Sequence, residues 1–310
     1  MNTIINKINK LKKEKNAIIL GHFYESPEVQ EISDFIGDSL ALAQKAQKTD
    51  ADIIVFAGVL FMAETAKILY PDKKVLLPDL NAGCSLADSC EENKFKKFLM
   101  LHPDRYVISY VNTSAKIKAL SDCICTSSNA IKIVKSVPID KKIIFGPDKN
   151  LGTYVKKSTN RDILLWDGAC HVHKRFSAEK IKQLKKKYPN AKIISHPECE
   201  ASVLEISDFI DSTSGLLKYT NRVEYNEFII ATEPGIIYQM QKANPEKLYI
   251  AAPSFEEENN ICEYMKMCTL TNIYNSLKEE KFEINLEENL INKARGSILK
   301  MLEISNKLKL

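Results

Sequence analysis

The chain has 310 residues, of which 45% are hydrophobic and 27% charged, a balance that suits a globular fold of two or three domains and suggests neither disorder nor a fibre. No stretch approaches the roughly 20 apolar residues that a bilayer span needs, and the N-terminal ten residues lack an apolar signal core, so the expectation is a cytoplasmic protein with no membrane partner. The net charge of +4 is mild, and the lysine-rich segments 12–15 and 185–187 read as wet helix faces rather than as a nucleic-acid surface.

In chain order, a basic helix-like segment, 5–15, precedes the β-branched run Ala17-Ile18-Ile19-Leu20, which ends in Gly21-His22-Phe23-Tyr24. The pattern returns twice. Tyr106-Val107-Ile108-Ser109-Tyr110-Val111 ends in Asn112-Thr113-Ser114, and Lys192-Ile193-Ile194-Ser195 ends in His196-Pro197-Glu198. A second echo follows each run: Ser33-Asp34, Ser121-Asp122 and Ser207-Asp208 each lead to a hydroxyl residue just ahead of a helix-like stretch, 40–48, 129–136 and 215–219. Third come strands over 52–57, 142–145 and 227–231, each turning through Gly or Pro into a helix. A fourth strand in each unit leads to a cysteine: Cys84, Cys170 and Cys262, spaced by 86 and 92 positions.

Four landmarks keeping one period of about 87 residues argue for a repeated α/β unit, and sites in such units lie beyond the carboxyl ends of the strands. The expected architecture is therefore three similar three-layer α/β/α domains with short parallel sheets, arranged with pseudo-threefold symmetry about a central active site. Their expected bounds are 1–88, 89–174 and 175–310, the last including an amphipathic C-terminal segment, 283–310, that docks on the body.

In a reducing compartment the eight cysteines are metal, catalytic or core thiols rather than disulfides. Cys90, Cys123, Cys125, Cys199 and Cys268 read as buried core thiols. Thiols from three equivalent loops can face a common axis, where zinc would want a fourth ligand or water. A cubane of four irons and four sulfides also fits, and three thiolates would leave one iron open to act as a Lewis acid. The residues alone leave both choices standing, along with a non-enzymatic metal or redox sensor and a simple hydro-lyase.

The motifs Gly21-His22-Phe23-Tyr24, Gly37-Asp38-Ser39-Leu40, Tyr110-Val111-Asn112-Thr113-Ser114-Ala115, Phe145-Gly146-Pro147-Asp148-Lys149-Asn150-Leu151-Gly152, His196-Pro197-Glu198-Cys199, Ser212-Thr213-Ser214-Gly215, Thr232-Glu233-Pro234-Gly235 and Cys262-Glu263-Tyr264-Met265-Lys266-Met267 run in order along nearly the whole chain, and this series resembles that of the quinolinate synthase family. The resemblance implies an enzyme of de novo NAD biosynthesis that condenses iminoaspartate with dihydroxyacetone phosphate to quinolinate, releasing phosphate and water. It also implies a 4Fe-4S cluster on Cys84, Cys170 and Cys262, with one iron free of protein ligands. A transient contact with the enzyme that supplies iminoaspartate is compatible with it. The family often has Pro after the third cysteine, where this chain has Glu263, and Cys268 lies a few positions on as a rival ligand.

Beside that resemblance, His22 and Tyr24 at the first strand end can bind a carboxylate or move protons, and Tyr110 and Asn112 hold the same station in the second repeat. His196 and Glu198 hold it in the third, two apart on what reads as an extended segment, which would aim them to one side. Glu198 is the expected general base; with His22, Tyr24 and Tyr110 it makes up the expected catalytic set. His22, Tyr110, Asn112, His196 and Glu198 are expected to bind substrate, as are the hydroxyls of Ser39, Ser127 and Thr213 at helix starts, for which plain N-capping is the competing use. His173 stands as an unassigned second imidazole, and Lys149 reads most simply as a turn lysine.

Overall fold

In the computed structural model, which describes residues 2–46, 48–255 and 260–308, the repeat is a four-stranded parallel sheet built three times. The first comprises β1 (Ala17–His22), β2 (Phe35–Gly37), β3 (Ile53–Ala57) and β4 (Lys74–Leu76). The second comprises β5 (Tyr106–Tyr110), β6 (Cys123–Cys125), β7 (Ile143–Gly146) and β8 (Ile163–Leu165), and the third β9 (Lys192–Ser195), β10 (Phe209–Ile210), β11 (Glu227–Ala231) and β12 (Leu248–Ala251). Each sheet has its second strand at one edge and its fourth at the other, in the order second, first, third, fourth.

Why these runs become strands is visible in their burial. Alternate residues of β3 feed opposite faces: Ile54 and Phe56 join one core cluster, while Ile53, Val55 and Ala57 join another. The same split divides Ile108 from Val107 in β5 and Ile194 from Ile193 in β9. A parallel sheet covered on both faces needs such continuous apolar runs. The largest core cluster joins the first two sheets, with Phe56 and Phe145 both in it; emptying either site to Ala would cost about 3–5 kcal/mol.

The Ser-Asp echo marks the short edge strands, which two or three residues are too few to announce by periodicity. Its carboxylate is a sheet clamp. Asp34 Oδ2 accepts from Ile19 N–H at 2.8 Å, Asp122 Oδ2 from Val107 N–H at 2.7 Å and Asp208 Oδ2 from Ile193 N–H at 2.9 Å. Each Asp N–H in turn donates to the carbonyl of that same residue, at 2.9, 2.9 and 2.8 Å. The preceding serines donate to carbonyls four residues back, at 2.8, 2.8 and 2.7 Å, closing the short helix between the two strands. Close approach explains Gly21: a Cβ there would stand 2.3 Å from Ser33 Oγ.

The C-terminal helix Glu288–Lys307 lies across the first two repeats, its Ile298, Met301 and Leu302 inside their shared core. Ser297 Oγ donates to Lys118 O at 2.9 Å, and Asn129 Nδ2 donates to Ser305 Oγ at 3.0 Å. The helix Leu270–Glu279 packs with the N-terminal helix Asn2–Glu14 on the outer face of the first sheet. Positions 309 and 310 of the segment expected to dock, and position 47 of the helix expected over 40–48, lie outside the described residues. Among the described residues no helix is long and apolar enough to cross a membrane.

Candidate active site

The carboxyl ends of the first strands of all three sheets open on one cavity. His22 closes β1 and Tyr110 closes β5, while His196 directly follows β9; two residues beyond each stand Tyr24, Asn112 and Glu198, and all six line the cavity. His196 and Glu198 do not lie on an extended segment. A turn closed by Cys199 N–H on His196 O at 3.0 Å carries them, and it directs both inward.

The turns also settle how the imidazoles are protonated. His22 Nδ1 accepts from Tyr24 N–H at 3.2 Å, and His196 Nδ1 accepts from Glu198 N–H at 3.4 Å. A ring nitrogen that accepts carries no proton, so in each neutral ring the hydrogen sits on Nε2. Burial lowers the pKa of His22 to about 4 and that of His196 to about 3, keeping both rings neutral donors near pH 7.

The hydroxyls at the helix starts border the same space. Ser39 and Thr213 are the first residues of helices Ser39–Ala46 and Thr213–Thr220, and Ser127 lies three positions ahead of helix Ala130–Ser136. In two of the three, capping falls to a neighbour. Asp38 Oδ1 accepts from Ala41 N–H at 3.0 Å and Ser212 Oγ from Gly215 N–H at 3.2 Å, while Asn129, at the N-cap of helix Ala130–Ser136, makes no capping bond and its Oδ1 accepts instead from the upstream Thr126 N–H at 2.6 Å. Ser39, Ser127 and Thr213 all line the cavity, with Thr213 Oγ1 2.8 Å from Tyr24 OH and Ser127 hydrogen-bonded to Tyr110.

A polar chain crosses from the third repeat to the first. Glu198 Oε2 is 2.9 Å from His173 Nδ1, His173 Nε2 is 3.0 Å from Thr232 Oγ1, and Thr232 Oγ1 is 2.7 Å from Tyr24 OH. Burial alone would raise the Glu198 carboxyl, but His173, His196 and the Tyr110 hydroxyl outweigh it and hold the pKa at about 2. Burial pushes the phenols of Tyr24 and Tyr110 well above their ordinary range. Glu198 Oε1 and Asn112 Oδ1 are buried without a partner, two acceptors left open at the cavity.

Cys84, Cys170 and Cys262 come to the cavity from equivalent loops. Cys84 precedes the helical turn Ser85–Asp88, Cys170 precedes His171–Lys174, and Cys262 lies two residues ahead of the 3-10 turn Tyr264–Met267. Each sulfur takes N–H groups from its own turn: Leu86 and Ala87 for Cys84, His173 for Cys170, Tyr264 and Met265 for Cys262. Burial drives the thiols of Cys84 and Cys262 up to about 12 and that of Cys170 well above its ordinary value. Cys84 feels the charge of Cys262, and Cys170 that of Cys84, so without a cation the set stays protonated. Cys170 Sγ, His173 and Glu198 also offer donor atoms within 4.8 Å of one another, a possible site for a metal ion.

Cys90, Cys123, Cys125, Cys199 and Cys268 are buried and do not line the cavity; Cys199 and Cys268 lie against the carbonyls of Ala231 and Gly58, at 3.3 and 3.2 Å. Lys149 begins the helix Lys149–Thr159 and pairs with Asp167 at 2.8 Å.

Two groups carry more of the site than sequence reasoning assigned. His173 was signalled only by its place three residues after Cys170. Glu233 was visible only inside Thr-Glu-Pro-Gly. It is fully buried at the cavity, 3.0 Å from Lys266 Nζ, with Oε2 accepting from Gly235 N–H at 2.7 Å and Oε1 from Cys262 N–H at 3.4 Å. Asp148 does the same for the second loop, accepting from Cys170 N–H at 2.9 Å.

The family model of the quinolinate synthetase A protein matches residues 6–303. Quinolinate synthases of Microcystis aeruginosa and Trichodesmium erythraeum are each 56% identical over 299 residues, 96% of this chain and 94% and 93% of theirs. That of Chloroherpeton thalassium is 53% identical over 304 residues, 97% of this chain and 94% of its own. Identity at this level over nearly the whole length, on top of the repeated architecture, means that the chain belongs to the quinolinate synthase family.

Proposed function

We propose that this chain condenses iminoaspartate with dihydroxyacetone phosphate to quinolinate, phosphate and water in NAD biosynthesis, using a 4Fe-4S cluster held by Cys84, Cys170 and Cys262. The observation that carries the proposal is the convergence, on a single cavity, of one cysteine loop and one strand-end pair from each of three repeats.

The donor set suits such a cluster on two grounds. The three sulfurs share one cavity, and the corners of a cubane allow ligands to stand wider apart than ligands on a single metal. Each sulfur also faces N–H groups of its own turn, the contacts by which a protein tunes cluster thiolates. When bound, the cluster would supply a Lewis acid at its one iron without a protein ligand, suited to the loss of water.

The remaining chemistry falls to the chain's own side chains. Hydroxyls of Ser39, Ser127 and Thr213 suit phosphate and carboxylate oxygens, and the Nε2–H groups of His22 and His196 donate to carboxylates without adding charge. Glu198, ionised and with Oε1 free, is the base for the proton shifts that precede each dehydration. The chain through His173 and Thr232 to the Tyr24 hydroxyl holds that carboxylate in place at the cavity.

A second reading, a single zinc on Cys170, His173 and Glu198, is favoured by the 4.8 Å spacing of those donors but leaves Cys84 and Cys262 without a task. Anaerobic purification with iron, sulfide and zinc analysis, followed by assay of quinolinate from the two substrates, decides. About four irons and four sulfides per chain with quinolinate formed is the expected result. Zinc without sulfide, or an intact cluster that yields no quinolinate, would overturn it.

A further inference from the structure

The residue after each of the three cysteines belongs to one hydrogen-bonded chain. Ser85 Oγ lies 2.5 Å from His171 Nδ1, and His171 Nε2 lies 3.0 Å from Glu263 Oε2, contacts that span 86 and 92 residues of sequence. A carboxylate only accepts, so Nε2 bears the hydrogen that reaches Glu263. The chain joins all three repeats. It lies at the rim, not in the interior: the His171 side chain is 24% exposed and that of Glu263 54%. The His171 ring stands edge-on to Tyr264 at 6.0 Å, so the turn after Cys262 is held by packing as well as by the hydrogen bond.

Nothing in the condensation requires these groups. Each cysteine loop is otherwise anchored by its own neighbourhood, Cys170 by Asp148 at 2.9 Å and Cys262 by a longer contact to Glu233 at 3.4 Å. We propose that Ser85, His171 and Glu263 form a clasp across the rim, which fixes the spacing of the three cysteine loops before metal binds and covers the metal centre afterwards. They are positioning residues that act through the adjacent cysteines. Separate loops would each have to be ordered on binding, whereas clasped loops form one prearranged body. The covering role rests on the cluster reading above; the ordering role is a property of the metal-free chain.

The test uses His171→Ala, Glu263→Ala, their double variant, and Glu263→Gln, whose amide oxygen can still accept from Nε2–H. In metal-free protein, amide exchange over 262–268 should quicken by about tenfold in each alanine variant and return towards wild type in Glu263→Gln. In protein loaded with iron and sulfide, release of iron to a chelator should quicken by a similar factor, about tenfold, with the double variant no faster than either single one. Ser85→Ala repeats the measurement from the other end should a histidine variant fold poorly. Unchanged exchange, equal behaviour of Glu263→Gln and Glu263→Ala, or single effects that simply add would overturn the clasp. A wild type that takes up no iron and sulfide would sink the cluster reading instead, while amide exchange still decides the clasp.

Discussion

His173 Nδ1 stands 2.9 Å from Glu198 Oε2 and 3.3 Å from Cys170 Sγ, so one imidazole ties the carboxylate of the third repeat to a cysteine of the second. The pairing holds the Glu198 carboxyl below the ordinary carboxylate range, so it is ionised near pH 7. If Glu198 is the proton acceptor, Glu198→Gln preserves its shape and removes its basicity, and turnover should fall by about 10²–10⁴-fold. Iron and sulfide content should stay at the wild-type level, which metal analysis of the same preparation checks. Normal turnover with an intact centre would remove Glu198 from the mechanism.

His22 and His196 predict a limb of acid instability. In the unfolded chain an imidazole takes up its proton near pH 6.5, but burial delays this in the fold to about 4 for His22 and about 3 for His196. Across that interval the unfolded state binds more protons. Stability is therefore complete above about 6.5 and falls as pH drops towards the folded values. Denaturant midpoints measured from pH 7 to pH 4 should fall less steeply in a His22→Gln, His196→Gln double variant than in wild type.

The Ser-Asp clamp can be weighed in the second repeat, where the Asp122 carboxylate accepts the Val107 N–H at 2.7 Å. Asp122→Ala leaves the N–H of the buried Val107 without its partner and should destabilise the fold by about 1–3 kcal/mol. Asp122→Asn keeps an acceptor oxygen and should cost less. Urea midpoints of the two variants give the comparison.

The clamp also explains how much could be read before any coordinates. Local repetition carries the sheets: strand runs, Ser-Asp pairs and strand-end residues obey one period because each does the same local task in every repeat. What repetition cannot carry is contact between repeats. Nothing near Cys170 in sequence announces that His173 meets Glu198, or that His171 joins Ser85 to Glu263, since these partners come from different repeats and meet only after three domains have packed. The same holds for the C-terminal helix, whose amphipathic pattern fixes a buried face but not which repeats bury it. His196 and Glu198 show the limit at short range: a spacing of two fits a strand and a tight turn alike.

Cys262 and Cys268 make a discriminating pair. Cys262 lines the cavity, whereas Cys268 is buried in the core on the outer face of the first sheet, its sulfur 3.2 Å from Gly58 O. If Cys262 is the third cluster ligand, Cys262→Ala should lose iron and sulfide together with activity. Cys268→Ala should keep the cluster and lose about 1 kcal/mol or more of stability for its cavity. Retention of a full cluster by Cys262→Ala would transfer the ligand role elsewhere.

Glu25 offers the last test, since it is a buried acid with no visible recompense. Its side chain is fully buried, and neither carboxylate oxygen has a hydrogen-bond partner. Burial pushes its pKa well above the ordinary value, against the pull of Lys266 and with Glu233 adding to the rise. The folded chain must therefore hold a proton that the unfolded chain releases above about pH 4.3. The contribution of this group is most favourable below that value and is lost as pH rises towards the folded pKa. Glu25→Gln replaces the carboxyl with a neutral group of the same shape, so it should stabilise the protein at pH 8 by about 1–3 kcal/mol and leave stability at pH 4 nearly unchanged. Thermal unfolding of both proteins at the two pH values measures this, and a variant less stable than wild type at pH 8 would mean that the Glu25 carboxylate is ionised and partnered in solution.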